Sequence, residues 1–524
     1  MTVLQDRKYL ANARAVLRGR TGRPTTKDHA YTIYETVLVL LIVIIPPARA
    51  VMVGLAVPEV AVAIARSLTL TCMTLALLVL AVAVVVVGRI RGPVVPPAAY
   101  IDLVVASPLA RSVTLRRAYG RGRLAFVLLA LFGAALLAGG ALFAGPIDML
   151  GTGLFLVSAV LGAWQIALLW LVGQLSLPVR RMTIAVLLTV LAVIVLLAAF
   201  PATNGIIGWL GPWGWVAHVW QATHEGVGLA TWLALGALIL GLGATRWTAR
   251  LLDSLSHEDL QSQAQRWGTV AALVVSGDVK SAMNKLKAYP KIGRRWPVTF
   301  PQSPALAIVV RDLVGLARFP VRAVFWAIMS VASGALLAYT FIPASGGALL
   351  AVAAPILMYF AVGGWADGLR FHASTVGASS PSGMSPARQA LTHLIVPTIT
   401  AEILILSGTV LVAVLQPLLD IGTIALWATA LVAFLVVMQS FSAFKGLLPI
   451  ELLTPMPTPI GDLAPLNVAM WLADAVTVVL LVAGVLTSLV IVAPSPVMLL
   501  VLLAGAGALM AWWSWGRFRR LVRP

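Results

Sequence analysis

Long apolar runs constrain this chain more than any other feature. A helix needs about 20 apolar residues to cross a bilayer, and runs of that kind recur along most of the 524-residue sequence. Only 10% of the residues are charged and 60% are hydrophobic, whereas soluble domains have about 25% charged residues. We therefore predict an all-α polytopic membrane protein with about twelve transmembrane helices. The predicted spans are 31–48, 68–88, 124–144, 152–176, 183–201, 228–245, 323–343, 347–366, 390–416, 421–441, 464–492 and 496–515.

The positions of Lys and Arg test this count, because cytoplasmic loops carry an excess of both. With twelve spans, all 37 Lys and Arg residues except Arg49 and Arg66 fall on the same side as the two termini. We interpret that side as cytoplasmic, and the net charge of +19 as a topological signal rather than a nucleic-acid surface. The segment 49–66 is interpreted as outer interfacial or re-entrant, since a thirteenth span there would destroy the charge pattern.

A polar stretch near the middle divides the chain into two halves of six spans each. The halves are 1–246 and 305–524, and the stretch 247–304 between them is interpreted as a cytoplasmic linker. Amphipathic basic stretches precede the first span of each half, at 1–30 and 305–322. Because both halves start inside and contain an even number of spans, we predict a parallel pseudo-repeat, as in some transporters.

A Ser-Pro dipeptide followed by a basic stretch occurs in one inner loop of each half, at 89–123 and 367–389; the second loop contains two such dipeptides. Ser caps free backbone N–H groups and Pro is tolerated at the first helical position. We therefore predict a short helix on the cytoplasmic face in each loop, presented to a soluble partner. An alternative is an interfacial helix whose Arg side chains bind anionic lipid headgroups. The candidate docking residues are Ser107, Pro108, Arg111, Arg116, Arg117, Ser380, Pro381, Ser385, Pro386 and Arg388.

Ionisable residues within a span are expensive and are functional candidates by default. Glu402 lies deepest, and we consider three roles for it: contact with a cationic substrate group, proton binding, or a structural bond to a hydroxyl or backbone group. Asp474 and His393 are further candidates for the substrate pathway. The single cysteine, Cys72, excludes an internal disulfide, and no motif predicts a catalytic residue, a metal site or a nucleotide site.

The layout resembles the membrane subunits of ABC-2 (type V) exporters, in the long actinobacterial form that fuses two six-span halves. The resemblance is carried by the basic entry stretches, "ASPLARSVTLRRA", "SPSGMSPARQALTHL" and "SGDVKSAMNKLKAYPKIGRRW". It implies connecting helices at 1–30 and 305–322, and coupling loops at 89–123 and 367–389. It also implies outer re-entrant helices at 202–227, where a belt of interfacial Trp residues is the alternative.

The function implied by this resemblance is that of a permease for an apolar or amphipathic compound such as an antibiotic, a peptide or a lipid. ATP and Mg²⁺ are then expected in separate ATPase subunits, in two copies, and the remaining partners are membrane lipids. The expected location is the cytoplasmic membrane, with both termini inside. A proton-coupled secondary transporter that uses Glu402 or Asp474 is the alternative, and a membrane enzyme or scaffold is a third hypothesis.

Overall fold

The computed structural model describes most of the chain after residue 68. The described ranges are 69–144, 148–198, 203–275, 298–341, 347–376, 383–416, 419–446, 448–454, 457–458, 461–462, 464–491 and 496–522, with isolated positions elsewhere. Several predicted features lie outside the described residues: most of the span 31–48, most of 1–30 and of 49–66, and the dipeptide Ser380-Pro381. The chain divides into two compact units, Met1–Ser276 with Lys280–Leu286 and Gly277–Val279 with Lys287–Pro524, and the division falls within the predicted linker.

The regular secondary structure described in the N-terminal unit consists of helices. Its helices are α1 (Leu70–Ile90), α2 (Ala98–Tyr100, continued by a π-turn over Ile101–Val105), α3 (Arg111–Thr114), α4 (Arg116–Ala144), α5 (Met149–Gly173), α6 (Leu177–Ala198), α7 (Asn204–Ile207), α8 (Pro212–Glu225), α9 (Leu229–Gly241, continued by a 3₁₀ turn over Leu242–Trp247), α10 (Thr248–Asp253) and α11 (His257–Val275).

The C-terminal unit is also helical, apart from one short strand pair. Its helices are α12 (Pro304–Ala317), α13 (Pro320–Tyr339), α14 (Gly347–Trp365), α15 (Asp367–Thr375), α16 (Pro386–Leu415), α17 (Ile421–Ala443), α18 (Ala464–Ile491) and α19 (Pro496–Val522). A 3₁₀ turn over Ile450–Leu453 precedes the antiparallel strands β1 (Pro457–Thr458) and β2 (Gly461–Asp462).

The chain is a polytopic membrane protein by the length and composition of its helices. Among the described residues, eight helices are long and apolar enough to cross a membrane, or nine if α14 and α15 are counted as one bent span. The last two predicted spans overlap α18 and α19, which have 28 and 27 residues but are not among these eight or nine helices. The boundaries follow from local chemistry: Pro occupies the first turn of α8, α12, α13 and α16, where its missing N–H costs nothing.

Close helix crossings in both units depend on small residues. In the N-terminal unit a Cβ at Gly173 would lie 2.3 Å from the Val85 carbonyl oxygen, so α5 and α1 meet backbone to backbone. In the C-terminal unit a Cβ at Gly408 would lie 2.0 Å from the Val331 carbonyl oxygen, where α16 crosses α13. Membrane helices associate through such small residues because lipid provides no hydrophobic drive between them.

The loop 202–227 contains two helices, α7 and α8, and is not simply a belt of interfacial aromatic residues. Trp213 and Trp220 are buried, and α8 packs on α1, α5 and α9. The Trp220 ring contacts Phe155 of α5 at 4.9 Å between centroids. Gly211, with φ +117°, provides the turn between the two helices, a conformation that favours glycine. A helical insertion therefore fills the space between three helices of this unit.

Candidate functional site

The first elbow, residues 91–117, connects α1 to α4. Its sequence prediction is wrong in one respect: Ser107 does not cap a helix. The N-cap residue of α3 is Ala110, which has no side-chain cap, and the Ser107 hydroxyl donates instead to the Val104 carbonyl at 2.6 Å. Pro108 fits the end of the preceding turn, because helices usually end at or before the residue that precedes a proline. The Ser-Pro dipeptide therefore ends the preceding π-turn, and α3 starts three residues later.

The three Arg residues predicted to dock a partner on the first elbow have different surroundings. Arg116 and Arg117 are exposed at the start of α4. The Arg111 guanidinium, in contrast, donates to the Leu255 carbonyl of the linker, and the neighbouring Ser112 N–H donates to the Asp253 carboxylate at 2.7 Å. Arg111 therefore attaches the elbow to the linker, and only the other two remain available to a partner.

Two buried glutamines, Gln174 and Gln263, bind the entrance of the first elbow. Gln174 Nε2 donates to the Val94 carbonyl at 2.7 Å and to Gln263 Oε1 at 3.0 Å, and its Oε1 accepts from Val94 N–H at 3.3 Å. Gln263 Nε2 donates to the Arg89 carbonyl at 3.3 Å, and its Oε1 also accepts from Gly92 N–H at 3.5 Å. We call this set of contacts the glutamine ladder. It satisfies backbone groups where α1 ends, which would otherwise be buried without partners.

An open cleft of about 360 Å³ lies beside the Ser107-Pro108 turn. Its lining residues are Val105, Ala106, Ser107, Pro108, Leu109, Arg111 and His257. His257 belongs to α11 of the linker, so the cleft is shared by the first elbow and the linker. Within the N-terminal unit, the linker therefore lies against the first elbow.

The second elbow, the described part of 366–388, connects α14 to α16. The chain bends by 64° after Trp365 and forms α15. The predicted cap at the start of α16 is confirmed: Ser385 Oγ accepts from Arg388 N–H at 3.4 Å, and Pro386 occupies the first helical position. The stretch after this cap is the beginning of the long helix α16, so the separate short helix is α15. Arg388 is exposed.

Ionic contacts hold the start of α15. Asp367 pairs with Arg322 of α13 at 2.5 Å and with Arg370 at 3.7 Å. Arg370 also donates to Gln439 of α17 at 3.0 Å, and Gln439 Nε2 donates to the Tyr359 carbonyl at 2.8 Å. The second elbow is thus bound to α13, α14 and α17 by a chain of polar contacts.

His393 belongs to a second polar cluster at this elbow. Its Nδ1 lies 2.5 Å from Asp312 Oδ2, and both side chains are buried, at 3% and 8% exposure. Its Nε2 lies 3.4 Å from the Arg311 guanidinium, and its ring stacks on His372 at 5.5 Å between centroids. His372 Nε2 lies 3.0 Å from the Pro386 carbonyl oxygen. We call these four residues the histidine cluster, and it joins α12, α15 and α16.

The histidine cluster is tightly packed and titratable. A Cβ at Gly368 would lie 2.1 Å from Asp312 Oδ2, so the first turn of α15 approaches α12 closely. Burial lowers the pKa of His372, and the neighbouring His393 lowers it further. Both effects disfavour the protonated ring, because a charged group loses hydration when it is buried and repels a like charge.

Asp474 holds helix ends together. Lys445 Nζ contacts one of its carboxylate oxygens at 2.6 Å, and Arg517 contacts the other at 2.7 Å. Arg517 also donates to the Phe441 carbonyl at 2.9 Å and lies 3.5 Å from the centroid of the Phe441 ring. Two cations thus pair with one carboxylate where α17, α18 and α19 meet, a contact set typical of a structural brace.

Glu402 has a different environment. Its Oε1 accepts a hydrogen bond of 2.5 Å from Thr429 Oγ1 of α17, as one sequence hypothesis proposed. The three predicted pathway residues, Glu402, Asp474 and His393, have separate sets of partners, and no described contact joins them. Sequence reasoning missed Gln174, Gln263 and Asp312. A polar side chain within or beside an apolar run is the signal that could have drawn attention to each of them.

Comparisons with known proteins do not identify a relative. Neither a scan against models of protein families nor a search of curated proteins matches this chain. Among the residues that the structure describes, no group of three or more His, Cys, Asp or Glu side chains could hold a metal ion.

Proposed function

We propose that the chain is the permease subunit of an ATP-binding cassette exporter. It crosses the cytoplasmic membrane twelve times, keeps both termini inside, and moves an apolar or amphipathic compound. ATP and Mg²⁺ bind in separate ATPase subunits. The observation that carries the proposal is the pair of elbows: each half contains short helical segments between two spans, with exposed basic residues and polar attachments to its own helix bundle.

The exposed charges favour an acidic partner surface. Arg116 and Arg117 on the first elbow and Arg388 on the second are exposed, and each lies on the side that the distribution of Lys and Arg marks as cytoplasmic. Complementary charges guide association and fix its register. Two similar elbows in one chain suit a partner that acts as two copies, one on each elbow.

The attachments explain how a partner could move the spans. The glutamine ladder fixes the first elbow to α1 and α5, and the ion pairs of Asp367 fix the second elbow to α13. A displacement of either elbow is therefore transmitted to spanning helices rather than lost in a loose loop. ATP shifts the conformational equilibrium only if the partner's ATP-bound form prefers one of the two states.

The rival hypothesis of a proton-coupled transporter uses Glu402 or Asp474. Both carboxylate oxygens of Asp474 already contact cations, Lys445 and Arg517. Glu402 remains available to that hypothesis. Transport that survives ATP depletion and stops when the proton gradient collapses would favour the rival.

Affinity purification in mild detergent tests the proposal. We expect an ATP-binding cassette protein to co-purify with the wild-type chain. In a variant with Arg116→Glu and Arg117→Glu, recovery of this protein should fall at least about tenfold, as expected when like charges replace a complementary patch. Arg111 is left intact because its contact with the linker would confuse a docking effect with a folding effect.

A matched control separates docking from general charge reversal. Arg181→Glu changes an exposed Arg on α6 that belongs to neither elbow, so its recovery of the ATPase should equal that of the wild type. The docking role would be contradicted if the Arg116/Arg117 variant and Arg388→Glu both recovered as much ATPase as the wild type, with both proteins inserted and monodisperse. The absence of any ATPase from the wild-type preparation would contradict the proposed function.

A further inference from the structure

Glu402 lies far from either end of the longest helix in the C-terminal unit. It follows Pro386, the first residue of α16, by 16 residues, which corresponds to about 24 Å along the helix axis. Leu415, the last residue, lies a further 13 residues along, or about 20 Å. The carboxylate is therefore near the middle of a helix that is long and apolar enough to cross the membrane.

No ion pair to this carboxylate is found among the described residues of its unit. Thr429 is the hydrogen-bond donor that reaches it, and the hydroxyl carries no charge. The sequence contains no Lys or Arg between Arg388 and Lys445, and Arg388 is about 21 Å away along the helix. In the described part of the unit, other cations pair with other carboxylates. Asp367 pairs with Arg322 and Arg370, and Asp474 pairs with Lys445 and Arg517.

The surroundings of Glu402 are open and apolar. Ile399 and Ile403 on the same helix are 54% and 62% exposed, and Leu426 on α17 is 49% exposed. Thr429 is also exposed, whereas Glu402 itself is half-buried. One negative group and one hydroxyl thus lie within an apolar surface at the contact between α16 and α17. A ligand that matches this surface carries one positive group and a large apolar body.

We propose that Glu402 and Thr429 bind the positive group of a lipophilic organic cation, and that the apolar side chains beside them bind its body. That this cation is the exported compound rests on the proposed function, whereas binding itself requires no ATPase. An unpaired carboxylate at this depth is costly. Pairing with a weakly hydrated cation therefore stabilises it more here than it would in water. A hard metal ion is disfavoured because it requires about six oxygen ligands, and this site has one carboxylate and one hydroxyl.

Binding of tetraphenylphosphonium to the full chain in lipid nanodiscs tests the site. We expect the wild type to bind this cation and to bind tetraphenylborate, an anion of the same shape, at least about tenfold more weakly, because the carboxylate attracts one and repels the other. Glu402→Gln should weaken binding of the cation by about tenfold or more. Glu402→Asp keeps the charge and should retain most of the affinity.

Ser407→Ala provides the matched control. Ser407 is exposed on the same helix, five residues after Glu402, and its hydroxyl donates to the Leu404 carbonyl of its own helix. This variant should bind tetraphenylphosphonium as the wild type does. Elution of every variant as a single species, with unchanged thermal unfolding, ensures that a loss of binding is not a loss of fold.

Two outcomes would overturn the inference. Equal affinity for tetraphenylphosphonium in the wild type and in Glu402→Gln would show that the carboxylate does not recognise the cation. Failure of the wild type to prefer the cation over tetraphenylborate would show that the site carries no effective negative charge. Recovery of the ATPase from the same preparations is an independent measurement, so either result leaves the test of the export function intact.

Discussion

The two elbows have similar positions in the sequence but are held by different chemistry. The entrance of the first is bound by neutral amides: Gln174 and Gln263 pair with each other and with backbone groups of residues 89–94. The second is bound by charges and titratable rings, through Asp367 with Arg322 and Asp312 with His393. The elbows also differ in their neighbours, because the linker contacts the first through Asp253 and Leu255.

This difference has consequences for how each elbow responds to its environment. Hydrogen bonds between neutral amides and backbone depend little on salt or pH, whereas buried charge pairs lose much of their stabilisation when one partner is removed or titrated. We therefore expect the second elbow to be the more sensitive of the two. The predictions below test that expectation, from the largest expected effect to the smallest.

Asp312→Ala should have the largest effect. It leaves the buried His393 ring and the Arg311 guanidinium without their carboxylate partner, and a buried polar group that loses its partner costs up to about 3 kcal/mol. The free energy of unfolding in detergent, measured by SDS titration, is the observable. Asp102→Ala is the matched control in the first elbow, because Asp102 is exposed and accepts one bond from Gln261 at 3.2 Å. Similar losses in the two variants would contradict the comparison.

Gly368→Ala should destabilise the second elbow by about 2 kcal/mol, a typical cost of overpacking. The added Cβ would meet Asp312 Oδ2, so either α15 or the Asp312 carboxylate must shift, and the contact of Asp312 with His393 is disturbed in both cases. Gly315→Ala on α12 is the control, since no atom lies within 4 Å of its Cβ position and alanine favours the helix. The same SDS titration measures both. If Gly368→Ala were as stable as the control, the close approach of α15 to α12 would be wrong.

Much of the fold could be predicted from the sequence, because apolar runs of spanning length determine the helices one at a time. The α16 cap was also predictable, since Ser385, Pro386 and Arg388 interact within one turn. The Ser107 prediction failed because a Ser-Pro dipeptide suits both the start of a helix and the end of the one before it. Local chemistry does not decide between these two roles. In this chain Ser107 bonds back to the preceding π-turn and so belongs to its end.

The contacts that hold the elbows could not be predicted, because their partners are far apart in the chain. Gln174 and Gln263 are separated by 89 residues, and Asp312 and His393 by 81. Nothing in the spacing of a single glutamine or histidine specifies which distant residue it meets. Glu402 shows the opposite case: the lack of nearby Lys or Arg is already visible in the sequence, and its hydroxyl partner was one of the roles considered for it.

Gln263→Leu should destabilise the first elbow by about 1–2 kcal/mol, because it removes three hydrogen bonds while preserving volume. Hydrogen exchange of the peptide that covers 89–97 should increase, since Gly92 N–H and the Arg89 carbonyl lose their partner. Gln265→Leu changes an exposed glutamine on the same helix and should leave exchange unchanged. Unaltered exchange in both variants would indicate that the glutamine ladder does not hold this segment.

Ser385→Ala should cost about 1 kcal/mol, the usual value for a lost helix cap. Ser107→Ala is the natural comparison, because the same dipeptide there caps no helix and its hydroxyl makes one bond to the Val104 carbonyl. We expect that loss to be smaller, about 0.5 kcal/mol. SDS titration of the two variants side by side measures both losses in the free energy of unfolding. A larger loss for Ser107→Ala than for Ser385→Ala would contradict this assignment of the cap.

The smallest expected effect is a pH dependence to which the second elbow contributes. Burial lowers the pKa of His372 in the folded chain, whereas an exposed histidine titrates near pH 6.5. Below that pH the unfolded chain binds the proton more readily, so stability should fall as the pH drops through about 6.5.

His372→Gln should flatten this slope, measured by thermal unfolding between about pH 8 and 5. His257→Gln, beside the first elbow, should leave it unchanged, and equal slopes in all three proteins would place the titrating group elsewhere. Because protonation of one ring leaves the Asp312–His393 contact in place, this effect should remain below that of removing the carboxylate.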